Sequence, residues 1–315
     1  MPTSSPEIRL LTRVCWLYYR ESLTQEIIAR RLGLTRKRVN HLLAQARELG
    51  IVQISITGPQ GLCAALEQRL TRAFGLEGAT VVPSPMQETD VRAMVGAALG
   101  DLLSARLVSE ARIGVSWGGT IHAATTTLRP GQASGLTVVQ LVGGLARSAR
   151  FNPFDNASQF SRALDAGCYY LPAPMIADTP ELRDLYVASP QVAEVLQMAA
   201  GLDIAVLTAV DLSEASGGLE YSVIDRAQWA SLRDAGAVGD IAGHYLDREG
   251  RPVDHPISRR TINPPLDSLR NAKERLLAAG GAHKAEIVLA GIRAGLVRWL
   301  ITDESCAAVL LDGRG

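Results

Sequence analysis

No stretch of about 18 consecutive apolar residues occurs anywhere in the chain, so no segment qualifies as a membrane-spanning helix. Met1 to Ile8 hold no basic cluster feeding an apolar stretch, which excludes a secretory leader as the expected reading. Cysteine is scarce. Cys15, Cys63, Cys168 and Cys306 are scattered, without the paired spacing of a zinc or redox site, and fit reduced thiols in the cytoplasm. No metal and no cofactor are therefore expected. Lysine is scarcer still, limited to Lys37, Lys273 and Lys284, so arginine carries nearly all the positive charge. Net charge is also missing, with 32 basic against 32 acidic residues.

What remains is an ordinary globular composition. The chain has 315 residues, 47% hydrophobic and 20% charged, enough for two or three domains at roughly 100–200 residues each. The neutral total hides an asymmetry: residues 1–58 carry nine Lys/Arg against four acids, a net +5, and the remainder sums to −5. A basic head on a mildly acidic body points to a polyanionic partner, with chance segregation of surface charge as the competing account.

The head reads as three helices. Leu10, Leu11, Val14, Leu17 and Tyr18 recur at helical spacing. Thr24 is placed to cap a second helix from Gln25 to Leu32, Gly33 to end it, and Thr35 to cap a third running to about Leu49. Ile51 to Ile56 then alternates apolar and polar residues like a half-buried strand, the wing of a winged fold. Ala29, Gly33 and Val39 fall where a helix-turn-helix needs a small contact residue, a turn glycine and a branched core residue. The third helix presents Thr35, Arg36, Lys37, Arg38, Asn40 and His41 in its first turns, and Gln25 opens the second. Arginine can pair with guanine and asparagine with adenine in the major groove, while the others neutralise phosphate. The alternative is a helical hairpin with a solvated basic face.

The runs Trp16 to Tyr19, Leu23 to Arg36 and Ala46 to Val52 resemble the N-terminal domain of SorC/DeoR-type bacterial sugar-responsive transcriptional regulators. That likeness implies a winged helix-turn-helix over residues 1–57, double-stranded operator DNA as a partner, and assembly as a homodimer or homotetramer.

Residues 58–315 alternate short apolar runs with amphipathic segments, the pattern of a parallel sheet covered by helices on both faces. Strands are expected at Ala79–Val82, Arg112–Val115, Thr137–Val142, Tyr169–Leu171, Asp203–Leu207 and Leu300–Thr302. Helices are expected over Leu62–Phe74, Val91–Leu107, from the 118–119 glycines to about Leu128, and over Glu304–Leu311. Ligands of such sheets bind beyond the C-terminal strand ends. Gly118 and Gly119, flanked by Ser116, Trp117 and Thr120, leave a strand and enter a helix, a turn able to cradle an anion. No Gly-Lys-Ser/Thr ending and no three-glycine fingerprint occur, so neither a Walker loop nor a dinucleotide site is indicated. Gly280-Gly281 precedes Lys284 at a helix start, against the helix dipole, which hints at a bound anion. Asp240, read on a tight turn, supplies a carboxylate for sugar hydroxyls. Gly143, Gly144 and Asn156 either line the same mouth or merely make turns.

These pieces again resemble SorC-type regulators, in the family's order. The likeness implies an effector domain related to glucosamine-phosphate deaminases and ribose-phosphate isomerases. In that family, the loop matching Ser116–Thr120 and the lysine matching Lys284 approach an effector phosphate, and the aspartate matching Asp240 approaches hydroxyls. Gly119 departs from the family's usual residue, and some members respond to unphosphorylated polyols. The expected function is control of a carbohydrate catabolism operon by a sugar, sugar-phosphate or polyol effector. The rival is a sugar-phosphate isomerase or deaminase fused to a DNA-binding head, which would need a positioned general base. His41, His122, His244, His255 and His283 are dispersed, and no motif pairs a base with an acid.

Overall fold

Two threonines define the head. Thr24 accepts a hydrogen bond from the Ile27 N–H (3.3 Å) and opens α2 (Gln25–Leu32); Thr35 accepts from Arg38 N–H (3.2 Å) and opens α3 (Arg36–Glu48). Between them Gly33 takes φ 65°, a left-handed conformation that costs glycine least. Ahead of both lies α1 (Pro6–Cys15), continued by a π-helical turn at Trp16–Arg20. Leu11, Val14 and Leu17 meet Ile28, Ala29, Val39, Leu42, Leu43 and Ala46 in one small core. Each large aliphatic buried there contributes about 1.5–3 kcal/mol. Ile51 and Val52 form a bend whose N–H groups donate to the Ala46 carbonyl, rather than the start of a strand. The rest of the expected wing strand, Gln53–Ile56, lies outside the described residues. The computed structural model describes residues 6–49, 51–52, 61–85, 88–145, 152–213 and 224–313, which divide into two compact units, Met1–Gly58 and Pro59–Gly315.

The second unit begins with α4 (Gly61–Phe74), then β1 (Gly78–Val82), α5 (Glu88–Ser104), β2 (Arg112–Val115), α6 (Gly119–Ala124), β3 (Thr137–Gln140), α7 (Pro153–Leu164) and β4 (Gly167–Tyr169). It continues with α8 (Pro180–Ala188), α9 (Pro190–Ala199), β5 (Ile204–Asp211), α10 (Arg226–Asp234), β6 (Gly239–Ile241), β7 (His244–Leu246) and α11 (Leu266–Arg270). It closes with β8 (Glu274–Ala278), α12 (Ala285–Arg293), β9 (Trp299–Asp303) and α13 (Glu304–Asp312). Seven strands pair in parallel in the order β1-β9-β8-β5-β2-β3-β4. Strand alternation sends Ile113, Val115, Val138, Ile204 and Val206 to one face, where Val95, Leu99, Ile121 and Phe160 of α5, α6 and α7 cover them. Val139, Ala205, Leu207, Leu277 and Leu300 point the other way, under Leu70, Val192, Val195 and Ile287 of α4, α9 and α12. Burial on both faces is why these strands read as unbroken apolar runs.

Several boundaries differ from the sequence reading. The strand expected at Tyr169–Leu171 is Gly167–Tyr169, because Gly167, Cys168 and Tyr169 are the residues in register with Thr137, Val138 and Val139. Strand β3 stops at Gln140, and β5 runs on to Asp211. Helix α5 ends at Ser104 rather than Leu107. Helix α6 ends at Ala124, four residues early, where the Thr125 and Thr126 hydroxyls donate to the carbonyls three residues back and compete with the helix ladder. Asp240 sits in strand β6, not on a turn.

Asp303 ties three segments together at the end of β9. Fully buried, it caps α13 through Ser305 and Cys306 N–H, and accepts from Gly281 N–H (2.7 Å), Ser84 Oγ (2.6 Å) and Ser305 Oγ (2.6 Å). Burial pushes its pKa up, but these donors outweigh burial and hold the carboxyl below the ordinary 3.8. A depressed acid stabilises the fold above its unfolded pKa and loses that contribution as pH falls through its folded value. Asp303→Ala strands several buried donors and is expected to lower the unfolding free energy by about 2–5 kcal/mol, read by urea titration at neutral pH. Wild-type stability from this residue, absent in the variant, should be lost as pH falls below the ordinary carboxylate range through the depressed folded pKa.

Candidate functional site

On the head, packing and exposure divide α3 cleanly. Val39, Leu42, Leu43 and Ala46 face the core, while Arg36, Lys37, Arg38, Asn40 and His41 are all exposed. Four cationic or amide groups thus crowd the first two turns of an exposed helix whose cap is already satisfied. Thr35 spends its hydroxyl oxygen on that cap, and Gln25 is half-buried at the start of α2. Arg36, Lys37, Arg38, Asn40 and His41 together offer a solvated surface able to meet phosphates and base edges.

In the body, strand order decides which turns can meet. β5 runs between β8 and β2, so the turn after β2 (Ser116–Thr120) and the turn after β8 (Gly280–Lys284) flank its C-terminal end. The first of these is tightly bonded. Ser116, buried, accepts from Thr208 N–H (3.1 Å) and pairs with the Thr208 hydroxyl (3.2 Å), which donates to the Trp117 carbonyl (2.7 Å). Gly118, at φ 119°, donates its N–H to Oδ1 of buried Asn156 (2.9 Å). Thr120 is buried in the first turn of α6, behind half-buried Gly119. Gly143 and Gly144 are buried against Ala173–Met175: a Cβ on Gly143 would meet the Pro174 carbonyl at 2.3 Å, and Gly144 exchanges backbone hydrogen bonds with Ala173 and Met175. Lys284 is half-buried at the N-cap of α12.

Asp240 occupies a different setting. β5 outruns the sheet and pairs antiparallel with β6, which turns back into β7; Val210, Asp240 and Tyr245 lie directly opposite one another. Directly opposed residues share a face, so these three point the same way. Asp211 and Gly239 point the other way, where Ile287 of α12 packs against Gly239. The Val210–Asp240–Tyr245 face lines a small cleft with Trp117, Met175, Ile176, Leu212, Ile224, Trp229, Gly243 and Thr261. Asp240 accepts the Gly243 N–H at 2.5 Å, yet burial outweighs that bond and pushes its pKa up to about 7. Neighbouring His244 is pushed down to about 4 by burial, and the Tyr245 phenol is pushed up.

Of the ten effector candidates, the cleft brings together Trp117 and Asp240. The others stand in the turn around Trp117, against Ala173–Met175, or at the start of α12. Sequence reading missed Trp229, Leu212, Ile224, Tyr245 and Thr261, which look like core residues in one dimension. It also missed two buried polar groups at strand ends. Gln140 donates to the Val142 carbonyl (2.6 Å), and Asp211 is held by the Ser213 N–H (3.0 Å) and faces His283 Nε2 at 3.8 Å. No group of three metal-ligating side chains and no helix long and apolar enough to cross a membrane occur among the described residues.

Comparison with known proteins defines the class. The family described as "Putative sugar-binding domain" (Sugar-bind) matches residues 59–312, and the chain belongs to that family. Its relatives match it along nearly their whole length. It is 28% identical over 306 residues to the erythritol catabolism regulatory protein EryD of Brucella abortus (strain 2308), covering 96% of each chain. It is 28% identical over 302 residues to the deoxyribonucleoside regulator of Bacillus subtilis (strain 168), covering 94% of this chain and 95% of that one. Full-length sorbitol operon regulator SorC from Klebsiella pneumoniae superposes with a TM-score of 0.74 at 27% identity, over 98% of this chain and all of that one. The protein is a SorC-type, effector-controlled DNA-binding transcriptional regulator, and not a sugar-phosphate isomerase or deaminase.

Proposed function

We propose that residues 1–57 bind double-stranded operator DNA and that residues 58–315 bind the effector and assemble the protein, as a homodimer or homotetramer in the cytoplasm. Arg36, Lys37, Arg38, Asn40 and His41 enter the major groove or meet its phosphates, with Gln25 at the groove edge and Thr35 fixing the helix start. The observation that carries this reading is the split of α3 into a buried apolar face and an unbroken exposed basic face. One such head spans one major-groove segment, so specific binding needs paired heads at a fixed spacing.

The effector is a sugar, sugar phosphate or polyol that enters the cleft and contacts Trp117 and Asp240. Ser116, Gly118, Gly119, Thr120 and Asn156 hold the turn that presents Trp117, Gly143 and Gly144 pack behind it, and Lys284 is the cation available to an anionic substituent. The relatives' names, which refer to erythritol catabolism, deoxyribonucleosides and a sorbitol operon, support control of a carbohydrate catabolism operon. A ligand that fits one packing of the body better than another shifts the pairing of the heads, and with it operator affinity.

A fragment starting at Gly61 tests the division of labour. It should keep ligand binding by calorimetry and lose all measurable DNA affinity, because the basic excess lies upstream. DNA binding by the fragment at wild-type strength would refute the assignment, as would loss of ligand binding by a natively folded fragment.

A further inference from the structure

Two carboxylates adjacent in the chain join the ends of one hydrogen-bonded cluster. Asp303, fully buried, accepts the Gly281 N–H (2.7 Å) in the turn that carries Lys284, and the Ser84 hydroxyl (2.6 Å) just beyond β1. Glu304 accepts the Ser84 N–H (3.1 Å) through one oxygen and the Cys63 thiol (3.6 Å) through the other. Ser84 thus bridges both carboxylates, and its Oγ also accepts the Ser305 N–H (2.8 Å). Burial and the Glu304 carboxylate push the Cys63 pKa up to about 11, so the thiol keeps the proton it donates. Cys63 lies in the first turn of α4. Glu67, four residues on and on the same helix face, accepts the Val81 N–H (2.9 Å) of edge strand β1.

The cluster leaves the turn little room to move alone. A Cβ on Gly280 would meet Val91 at 2.6 Å and Asp303 at 3.2 Å. Shifting Gly281 either takes a donor from a buried carboxylate, which is unfavourable, or draws the start of α13 along with it. Glu304 follows Asp303 in the chain and takes Ser84 and Cys63 with it. Helix α4 is the first element of the second unit, which begins at Pro59, so its first turn is where the body meets the segment leading to the head. Resting on the regulator reading above, we infer that the Asp303–Ser84–Glu304–Cys63 cluster is a relay. It carries a displacement of the Gly280–Lys284 turn to the start of α4, and so toward the DNA-binding head. Ser84 and Glu304 are positioning residues in it, each acting through the groups it holds.

The full chain tests this without any ligand, because Gly281→Ala displaces the turn by itself. Gly281 holds φ 98°, and a Cβ there would meet the His283 ring at 2.5 Å. Alkylation of Cys63 by iodoacetamide, read peptide by peptide in a mass spectrometer, reports whether the far end has moved. Buried Cys306, whose thiol lies outside the chain of bonds, reports loss of the fold. Gly281→Ala should speed alkylation of Cys63 at least tenfold while Cys306 changes less than threefold. Ser84→Ala, at an exposed position, should speed it at least threefold, and Ser84→Thr, which keeps the hydroxyl, should react at the wild-type rate. Operator affinity should change at least fivefold with Gly281→Ala alone and less than twofold when Glu304→Ala is already present. An unaltered Cys63 rate in both Gly281→Ala and Ser84→Ala overturns the inference. So does a parallel rise at Cys63 and Cys306 in Ser84→Ala, or an operator effect of Gly281→Ala that survives Glu304→Ala. Should Gly281→Ala unfold the unit and expose both cysteines, the two Ser84 variants decide. Absence of operator binding by the wild type would sink the regulator reading instead, and the alkylation rates would still decide the relay.

Discussion

Asp240→Asn is expected to weaken effector binding at least tenfold and, in the same protein, to raise thermal stability above neutral pH. Both effects come from one half-buried, desolvated carboxyl on the middle strand of the β5–β6–β7 ribbon. Its folded pKa of about 7 lies above the ordinary 3.8. An acid with a raised folded pKa binds more protons in the native than in the unfolded state between those values. Its contribution is therefore fully present below about pH 4 and is lost as pH rises to 7. Above pH 7 the charged, desolvated carboxylate costs up to about 4 kcal/mol at roughly 1.36 kcal/mol per pKa unit. Asparagine keeps the acceptor for the Gly243 N–H and removes the charge. Melting temperature measured from pH 5 to 8 should fall in the wild type and stay nearly flat in the variant. Effector affinity should move the opposite way in the wild type, rising between pH 6 and 8 as the carboxylate acceptor forms. His244, pushed down to about 4, stays neutral throughout that window. A variant with unchanged affinity and an unchanged pH profile would show that Asp240 does not meet the effector.

Arg36→Ala combined with Arg38→Ala is expected to remove specific operator recognition while leaving the head folded. Both side chains are exposed and neither belongs to the core built on Val39, Leu42 and Leu43. A lost base contact costs about 1–3 kcal/mol, and each lost phosphate contact flattens the salt dependence by about one unit. The double variant should thus bind operator ten- to a thousandfold more weakly at matched salt. Wild-type binding with an unaltered salt slope would displace the recognition surface from α3.

The head was legible because its signals are local. Thr24, Gly33 and Thr35 act within a turn of themselves, and each does what its residue type permits: two caps and one left-handed stop. The parallel strands were legible for a related reason, since a strand buried on both faces cannot avoid an apolar run. Glu274–Ala278 escaped because its first two residues are charged and only its last three are buried. The β6–β7 hairpin escaped because its turn places Ala242, not asparagine or aspartate, at φ 50° before Gly243 at φ 78°. With the usual turn residue missing, Gly239-Asp240-Ile241 looked like a turn itself.

The site was legible only where one segment carries its chemistry. Trp117 and Asp240 stand in glycine-rich stretches that resemble the family, and both line the cleft. Trp229 and Ile224 come from a segment more than 100 residues beyond Trp117, and nothing local separates a cleft wall from a core. The anion-cradle reading of Gly118 rested on a free N–H, whereas a carboxamide 38 residues away accepts it. Hydrogen-bond partners at that distance are a property of the fold and cannot be read from spacing.

In the proposed regulator, one chain couples the α3 surface to the Asp240 cleft. Operator sites selected from random DNA by the full chain provide the probe, and fluorescence anisotropy at fixed salt provides the affinity, with and without saturating cleft ligand. Operator affinity of the wild type should change with ligand by roughly 5–150-fold, the usual range of allosteric coupling. No change is expected in Asp240→Asn at the same ligand concentration. Equal operator affinity with and without ligand bound in the wild type, or an undiminished response in Asp240→Asn, would contradict that coupling.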